Sequence, residues 1–304
     1  MRLSEILREM SGEIEYKIEE EQEFKQLALV ASILEEAVCT FLDNPKFMGT
    51  IKDNVVMLLI APENEKTIKE QFGDSIGYCI TENPRILFFM IHNFLKNNKE
   101  YTRQIFTTRR GTNCNIHSLA SIAENNVIIG NNVVIEEFVV IRENTVIGDN
   151  SIIRAGAKIG VQGYEFKHTN NKILSVEHLG GVNIGEEVEV QYNTCIDRAV
   201  YPWDNTVIGN YSKLDNLVHI GHAVKIAENV MIVAQSGIGG RTIIGANTWI
   251  GFGATVINGI EVGEEARVNI GAIATKTIKD NESVSGNFAI EHKKFIEHIK
   301  MISK

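Results

Sequence analysis

Seventeen positions spaced six residues apart carry only Ile, Leu or Val. One register runs through Ile129, Ile135, Ile141, Ile147, Ile153 and Ile159. A second runs through Ile208, Leu214, Ile220, Ile226, Ile232, Ile238, Ile244, Ile250, Val256, Val262 and Val268. A helix repeats every ~3.6 residues and a strand every ~2, so neither sustains a period of six. A solenoid does, if each coil of about 18 residues holds three short strands with one large inward aliphatic apiece. Small or β-branched residues recur four places further on (Val133, Val139, Thr145, Ser151, Ala157). A narrow triangular prism needs such a partner beside each large side chain. Gly130, Gly148, Gly209, Gly245 and Gly263 follow directly after the aliphatic, where corners with φ > 0 are expected. About seven coils, stacked at roughly 4.8 Å, would form a column on the order of 33 Å tall.

The chain has 304 residues, enough for one large or two ordinary domains. Residues 1–100 lack the hexad. Leu3–Met10 and Gln22–Glu36 read as helical, Val55–Ile60 as a strand, and Ile86–Asn97 as an amphipathic helix after the Asn83-Pro84-Arg85 break. This predicts a small α/β domain over 1–100, a linker over 101–112, a parallel β-helix over 113–280 and a helical tail over 281–304. Ile116 and Ile122 begin the repeat one residue out of phase. Val161–Gly181 and Ala199–Thr206 interrupt it, and loops ejected from solenoids are often functional or else neutral insertions. Phe288, Phe295, Ile296 and Ile299 give the tail an apolar stripe suited to capping the open end of the column.

Composition narrows the function class. The net charge of −9 argues against a nucleic-acid platform. The apolar runs Leu27–Leu34 and Ile86–Leu95 are too short to span a bilayer, and the first residues do not read as a signal peptide. Cys39, Cys79, Cys114 and Cys195 lack paired or zinc-type spacing, so reduced thiols and a cytoplasmic location are expected.

Coil stacking makes one constellation readable. His222 stands two residues after inward Ile220, at a corner, and should point outward; Gly240, preceded by Gly239, lies eighteen residues on, one coil above. A histidine beneath a side-chain-free backbone leaves room for a substrate carbonyl, with His222 as general base and the Gly240 N–H as oxyanion donor. Corner histidines are also ordinary surface residues, and corner glycines also answer to backbone geometry. His219 is a structural or substrate-facing candidate. Asp215 and Asn216, at the preceding corner, are candidates for orienting an imidazole or holding a sugar amine, and equally good turn formers. Asp197-Arg198, one coil below Asp215-Asn216, reads as a structural ion pair or as a substrate contact. A metal needs three converging ligands, and His219 and His222 have no third at stacking positions, so no metal is expected. In the first domain, Phe41 and Phe47 flank Asn44, an arrangement that fits either a planar base or a plain turn with core aromatics.

These motifs together resemble the UDP-3-O-acylglucosamine N-acyltransferase family of lipid A biosynthesis, over nearly all of residues 3–285. Phe41-x-x-Asn44-x-x-Phe47 resembles that family's uracil-binding segment, with Phe47 where Tyr is usual. Asn83-Pro84-Arg85, Gly160–Phe166, Ile196-Asp197-Arg198 and Lys213–Asn216 with His219–His222 match further segments. The resemblance implies a left-handed β-helix that trimerises, with His222 as base and Gly240 as oxyanion donor. It also implies no permanently bound cofactor, a thioester donor on acyl carrier protein or coenzyme A, and a nucleotide-linked amino sugar as acceptor. The donor arm would run past Gly237, Gly239 and Gly253 between subunits. The chain departs from the pattern in lacking a second histidine at Val256–Ile260, in its short tail, and in a longer Ala199–Thr206 loop. A coenzyme A-dependent short-acyl transferase acting on a UDP- or dTDP-amino sugar for surface polysaccharide is therefore an alternative. A noncatalytic solenoid is another, although its outward Arg142, Arg154, Lys213 and Lys225 are too irregular for a repetitive binding face.

Overall fold

The computed structural model describes residues 1–10, 15–170, 172–286 and 288–302. The chain divides into two units. One holds residues 1–106 together with 162–181 and 199–205; the other holds 107–161, 182–198 and 206–304.

The second unit is a left-handed parallel β-helix. Among the described residues its first face has nine strands, from Asn115–Ile116 to Ser283–Val284. Its second has eight, from Ser121–Ile122 to Ile273–Ala274, and its third has eight, from Arg109–Arg110 to Glu261–Val262. Every pairing within these faces is parallel and joins residues one coil apart, as His219↔Gly237 and Ile220↔Ile238 show. The inward aliphatics form one continuous cluster, and the small partners Val133, Val139, Thr145, Ser151 and Ala157 are fully buried. Most small partners that carry a hydroxyl donate it to a corner carbonyl, as Ser236 Oγ does to Gly251 O at 2.8 Å and Thr248 Oγ1 to Gly263 O at 2.8 Å, whereas the buried Thr145 hydroxyl has no such partner among the described residues. Those bonds remove the penalty of a buried, unpaired hydroxyl.

The column is taller than the hexad alone implies. Arg109–Arg110 pairs below Ile128–Ile129, and Ser283–Val284 still pairs with Arg267–Val268 after the register ends. The tail helix His292–Ile302 has no buried residue, so in the single chain it does not cap the column. The glycines after the aliphatic also have a different reason from the one expected. None of the five has positive φ; that conformation falls two residues later, on Asn132, Asn150, Tyr211, Asn247 and Glu265. Gly148 is required because a Cβ there would lie 2.5 Å from the Gly185 carbonyl of the next coil.

The first unit is built on a five-stranded sheet. Its order is Lys17–Glu19, Gly77–Ile80, Val55–Ile60, Val38–Leu42, Gln26–Leu27, parallel except for the first strand. The helix expected over Gln22–Glu36 is not there. Lys25, Gln26 and Ala28 instead donate to the carbonyls of Ala37 and Cys39, so the sheet edge captures backbone groups that a helix would have paired internally. The helix Pro84–Phe94 buries Leu87, Phe88, Phe89, Ile91 and His92.

The two segments that interrupt the hexad belong to this unit's core, through Val176, Val200 and Tyr201. Trp203 stacks on Tyr201 at 5.6 Å and donates to Leu27 O at 2.9 Å. Arg103 donates to Pro202 O, Asp204 O and Asn205 Oδ1. His92 Nε2 lies 2.8 Å from Glu177 O, so it donates there, and Nδ1 accepts from the Tyr101 hydroxyl at 2.7 Å. Burial pushes the His92 pKa down to about 4.

An unfolded histidine takes up its proton near pH ~6.5. The unfolded state therefore binds more protons than the folded one between about pH 4 and 6.5. Stability is expected to fall through that window as pH drops, by up to roughly 3 kcal/mol from this residue. The check is urea unfolding across the window, with the His92 imidazole resonances staying neutral well below pH ~6.5 in the folded protein.

Candidate functional site

The corner Gly221–Ala223, between the second and third faces, brings His222 and Gly240 together. Parallel pairing of His219–Ile220 with Gly237–Ile238 sets the coils in register, and the Arg241 N–H donates to His222 O at 2.8 Å. The His222 ring then lies flat against Gly240: a Cβ on Gly240 would meet Nε2 at 2.6 Å, Cε1 at 2.8 Å and Cδ2 at 2.9 Å. The ring is outside the aliphatic interior, yet only 9% exposed, more covered than an outward corner residue was expected to be. Ala223, next to it, takes φ +59° and donates its N–H to the Thr206 hydroxyl oxygen at 2.9 Å.

Several corner N–H groups in this column are capped by a side chain. Asn131 N–H donates to Asp149, Glu186 N–H to Asn210, Ala234 N–H to Asp215 and Glu264 N–H to Asp280. The Gly240 N–H has no such cap among the described residues. A base and an uncapped donor on adjacent rungs are the two parts needed for attack on a carbonyl.

His219 lies on the outer side of the second face, with Nε2 3.1 Å from Asp197 Oδ2. The hydrogen bond to Asp197 raises the His219 pKa, against the opposing effect of burial. Asp197 thus serves His219 and does not pair with Arg198, which reaches Gly160 O at 2.6 Å and Glu143 at 3.3 Å.

Of the remaining candidates on the column, Gly239 stands at this corner, one coil above Gly221, and Asp215, Asn216 and Gly253 do not. Asp215 and Asn216 occupy the corner between the first and second faces, where their side chains serve backbone groups. Asp215 accepts from Asn216 N–H at 2.7 Å and Ala234 N–H at 3.0 Å, and Asn216 accepts from Tyr192 N–H at 3.2 Å. Turn chemistry accounts for both. Gly253 is on that same corner column, where its φ of +64° favours glycine, and is not part of a groove with Gly239. Gly239 is needed because a Cβ would come 2.4 Å from Asn258 N. Gly237 has neither reason: nothing lies within 4 Å of its missing Cβ.

In the first unit, Phe41 is partly buried against Phe88 and Phe89, at 5.0 and 6.1 Å between ring centroids. Asn44 caps the 3₁₀ turn Pro45–Thr50 by accepting from Lys46 N–H, and Phe47 is half-exposed. Among the described residues no three His, Cys, Asp or Glu side chains converge as a metal site would require, and no helix is long and apolar enough to cross a membrane.

Sequence reasoning missed the Asp197–His219 pair. The signal was present, since Asp197 sits one coil below the His219 strand, but the adjacent Arg198 offered a more obvious partner.

The chain matches the bacterial transferase hexapeptide repeat over residues 126–160 and 205–240. It is 33% identical to the UDP-3-O-acylglucosamine N-acyltransferase of Delftia acidovorans over 137 residues, 45% of this chain and 40% of that protein. It is 50% identical to UDP-3-O-acylglucosamine N-acyltransferase 2 of Legionella pneumophila over 90 residues, 30% of this chain and 26% of that protein. The matched stretch is thus less than half the length of these curated relatives. Among solved structures, a UDP-N-acetylglucosamine acyltransferase from Bacteroides fragilis shares the fold, with TM-score 0.53 and 21% identity over 66% of this chain and 75% of that one. The resemblance carried by the motifs therefore holds.

Gly240→Ala is expected to unseat the imidazole, since the new methyl would overlap it, at a cost of about 1–3 kcal/mol. Gly237→Ala is expected to be close to neutral. Denaturant unfolding of both variants and the His222 resonances check the contrast.

Proposed function

We propose that this chain is an N-acyltransferase that moves an acyl group from a thioester to the amino group of a nucleotide-linked sugar. The observation that carries the reading is the His222 imidazole seated on bare Gly240, beside a backbone N–H that no side chain among the described residues caps. The named relatives support it, being N-acyltransferases of an acylated UDP-glucosamine.

In the proposed step the sugar nitrogen attacks the thioester carbonyl. His222 takes the proton from nitrogen as the C–N bond forms, and the Gly240 N–H donates to the oxygen that becomes negative. Collapse breaks the C–S bond, and the proton on His222 passes to the departing sulfur. Phe41 and Phe47 are the proposed contacts for the nucleotide base. Asn44 offers it both amide hydrogens, while its carbonyl oxygen already accepts one bond in the turn. The donor, on acyl carrier protein or coenzyme A, would pass Gly237 and Gly239.

A homotrimer forms part of the same proposal. The corner between the first and second faces shows an apolar ridge: Leu119, Phe138, Leu217, Phe252 and Ile270 are all exposed. Phe138 and Leu217 hold φ of +60° and +59°, conformations that cost bulky residues on the order of 1 kcal/mol or more. Large apolar side chains that are both strained and exposed suit burial against another copy of the chain.

With saturating donor and a UDP-amino sugar, His222→Ala is expected to lower kcat by ~10²–10⁴ while the melting temperature holds. Unchanged turnover removes His222 from the chemistry. Leu217→Glu combined with Phe138→Glu is expected to reduce the mass found by light scattering from three chains to one. A wild-type protein that runs as a monomer overturns the trimer.

A further inference from the structure

The outer side of the second face carries one column of residues in register: Lys158, Cys195, His219, Gly237, Thr255 and Ile273. Two of these rungs have no explanation in the fold. His219 is 56% exposed, yet its Nε2 is bonded to an Asp197 side chain only 6% exposed. Asp197 is itself held in place, because its carbonyl accepts the Thr206 hydroxyl at 2.6 Å. A nearly buried carboxylate against a half-exposed imidazole favours the cation, and with Nε2 occupied the second N–H of that cation is left to donate elsewhere. One coil above, Gly237 is a glycine that the backbone does not need. It has no positive φ, and a side chain there would meet no atom within 4 Å. Its bareness opens a slot above His219, closed one coil further up by exposed Thr255. With coils about 4.8 Å apart, the slot is on the order of 10 Å from floor to roof.

We propose that His219 and the open rung at Gly237 anchor a phosphate group of one of the two substrates, with Asp197 as the residue that positions the imidazole. This deepens the acyl-transfer reading and rests on it. An imidazolium N–H and a threonine hydroxyl are both donors, which suits phosphate oxygens, and charge-assisted bonds of this kind are among the stronger ones. In a chain with net charge −9, such a local cation is what lets an anionic substrate approach. Both substrates of the proposed reaction carry phosphate: the sugar nucleotide in its diphosphate, and the donor at the head of its phosphopantetheine arm. On the strands flanking His219 the other titratable groups are Asp197 and Cys195 below, with none on Gly237–Ile238 above.

The test compares ligands that differ only in phosphate, bound to the full-length protein and followed by calorimetry: UDP against uridine, and 4′-phosphopantetheine against pantetheine. Wild-type protein is expected to prefer one phosphorylated member by tenfold or more, and which pair shows the preference identifies the source. His219→Ala is expected to abolish that preference while affinity for the unphosphorylated member stays within about twofold. Gly237→Val, which fills the slot without touching the charge, is expected to abolish the preference as well. Asp197→Asn is expected to weaken the preference and to move its loss on raising pH to a lower pH, which a purely structural Asp197 would not do. A preference that survives in His219→Ala, or its absence from wild type in both pairs, overturns the proposal. His222→Ala is expected to retain the phosphate preference, so failure of the catalytic reading is seen separately from failure of this one.

Discussion

The β-helix depends on the hydrogen bond that each strand makes to the coil above and the coil below. A strand of two residues is worthless alone; here each is held only because an equivalent strand lies directly over it, eighteen residues away or further across a loop. That ladder brings coils so close that the residue after many inward aliphatics has no space for a Cβ, as at Gly148 and Gly209. It also stacks side chains into columns, turning a one-dimensional spacing into a spatial address. His222 meets Gly240 for this reason, and Asp197 comes under His219 in the same way.

What could be read from sequence follows the reach of that ladder. Wherever the hexad runs unbroken, inward and outward residues and coil partners are legible by counting, and the His222–Gly240 pairing follows. The column was undercounted at its ends because the repeat there changes phase at Ile116 and Ile122 and relaxes after Thr277. For Asp215 and Asn216 spacing leaves a turn role and a site role equally open, and it does not separate the corner of Gly253 from that of Gly239, for a subtler reason. Counting by eighteen gives the rung, but residues six apart turn different corners, so neighbours in sequence can serve separate edges of the prism. What a corner side chain does, whether it caps an N–H like Asp215 or stands clear, depends on backbone groups that no spacing reveals.

The α/β unit was less legible because its pairings are not periodic. Gln22–Glu36 has apolar residues at helical spacing, but the edge of a sheet offered its backbone better partners. The Val161–Gly181 and Ala199–Thr206 segments were recognisable as interruptions of the hexad. That they supply core residues to a sheet begun more than a hundred residues earlier could not be counted out.

That last arrangement bears on how the molecule comes to be made. When the first 106 residues have left the ribosome, the buried imidazole of His92 still lacks its carbonyl acceptor at Glu177, and Leu27 lacks the indole of Trp203. The amino-terminal sheet must wait, incompletely closed, while roughly a third more of the chain is synthesised, and contacts of such wide sequence separation form slowly. Coils between residues 107 and 161 can stack locally in the meantime. The order of synthesis and the order of consolidation therefore run in opposite directions, and an amino-terminal fragment cut at the apparent linker would be born without its own centre.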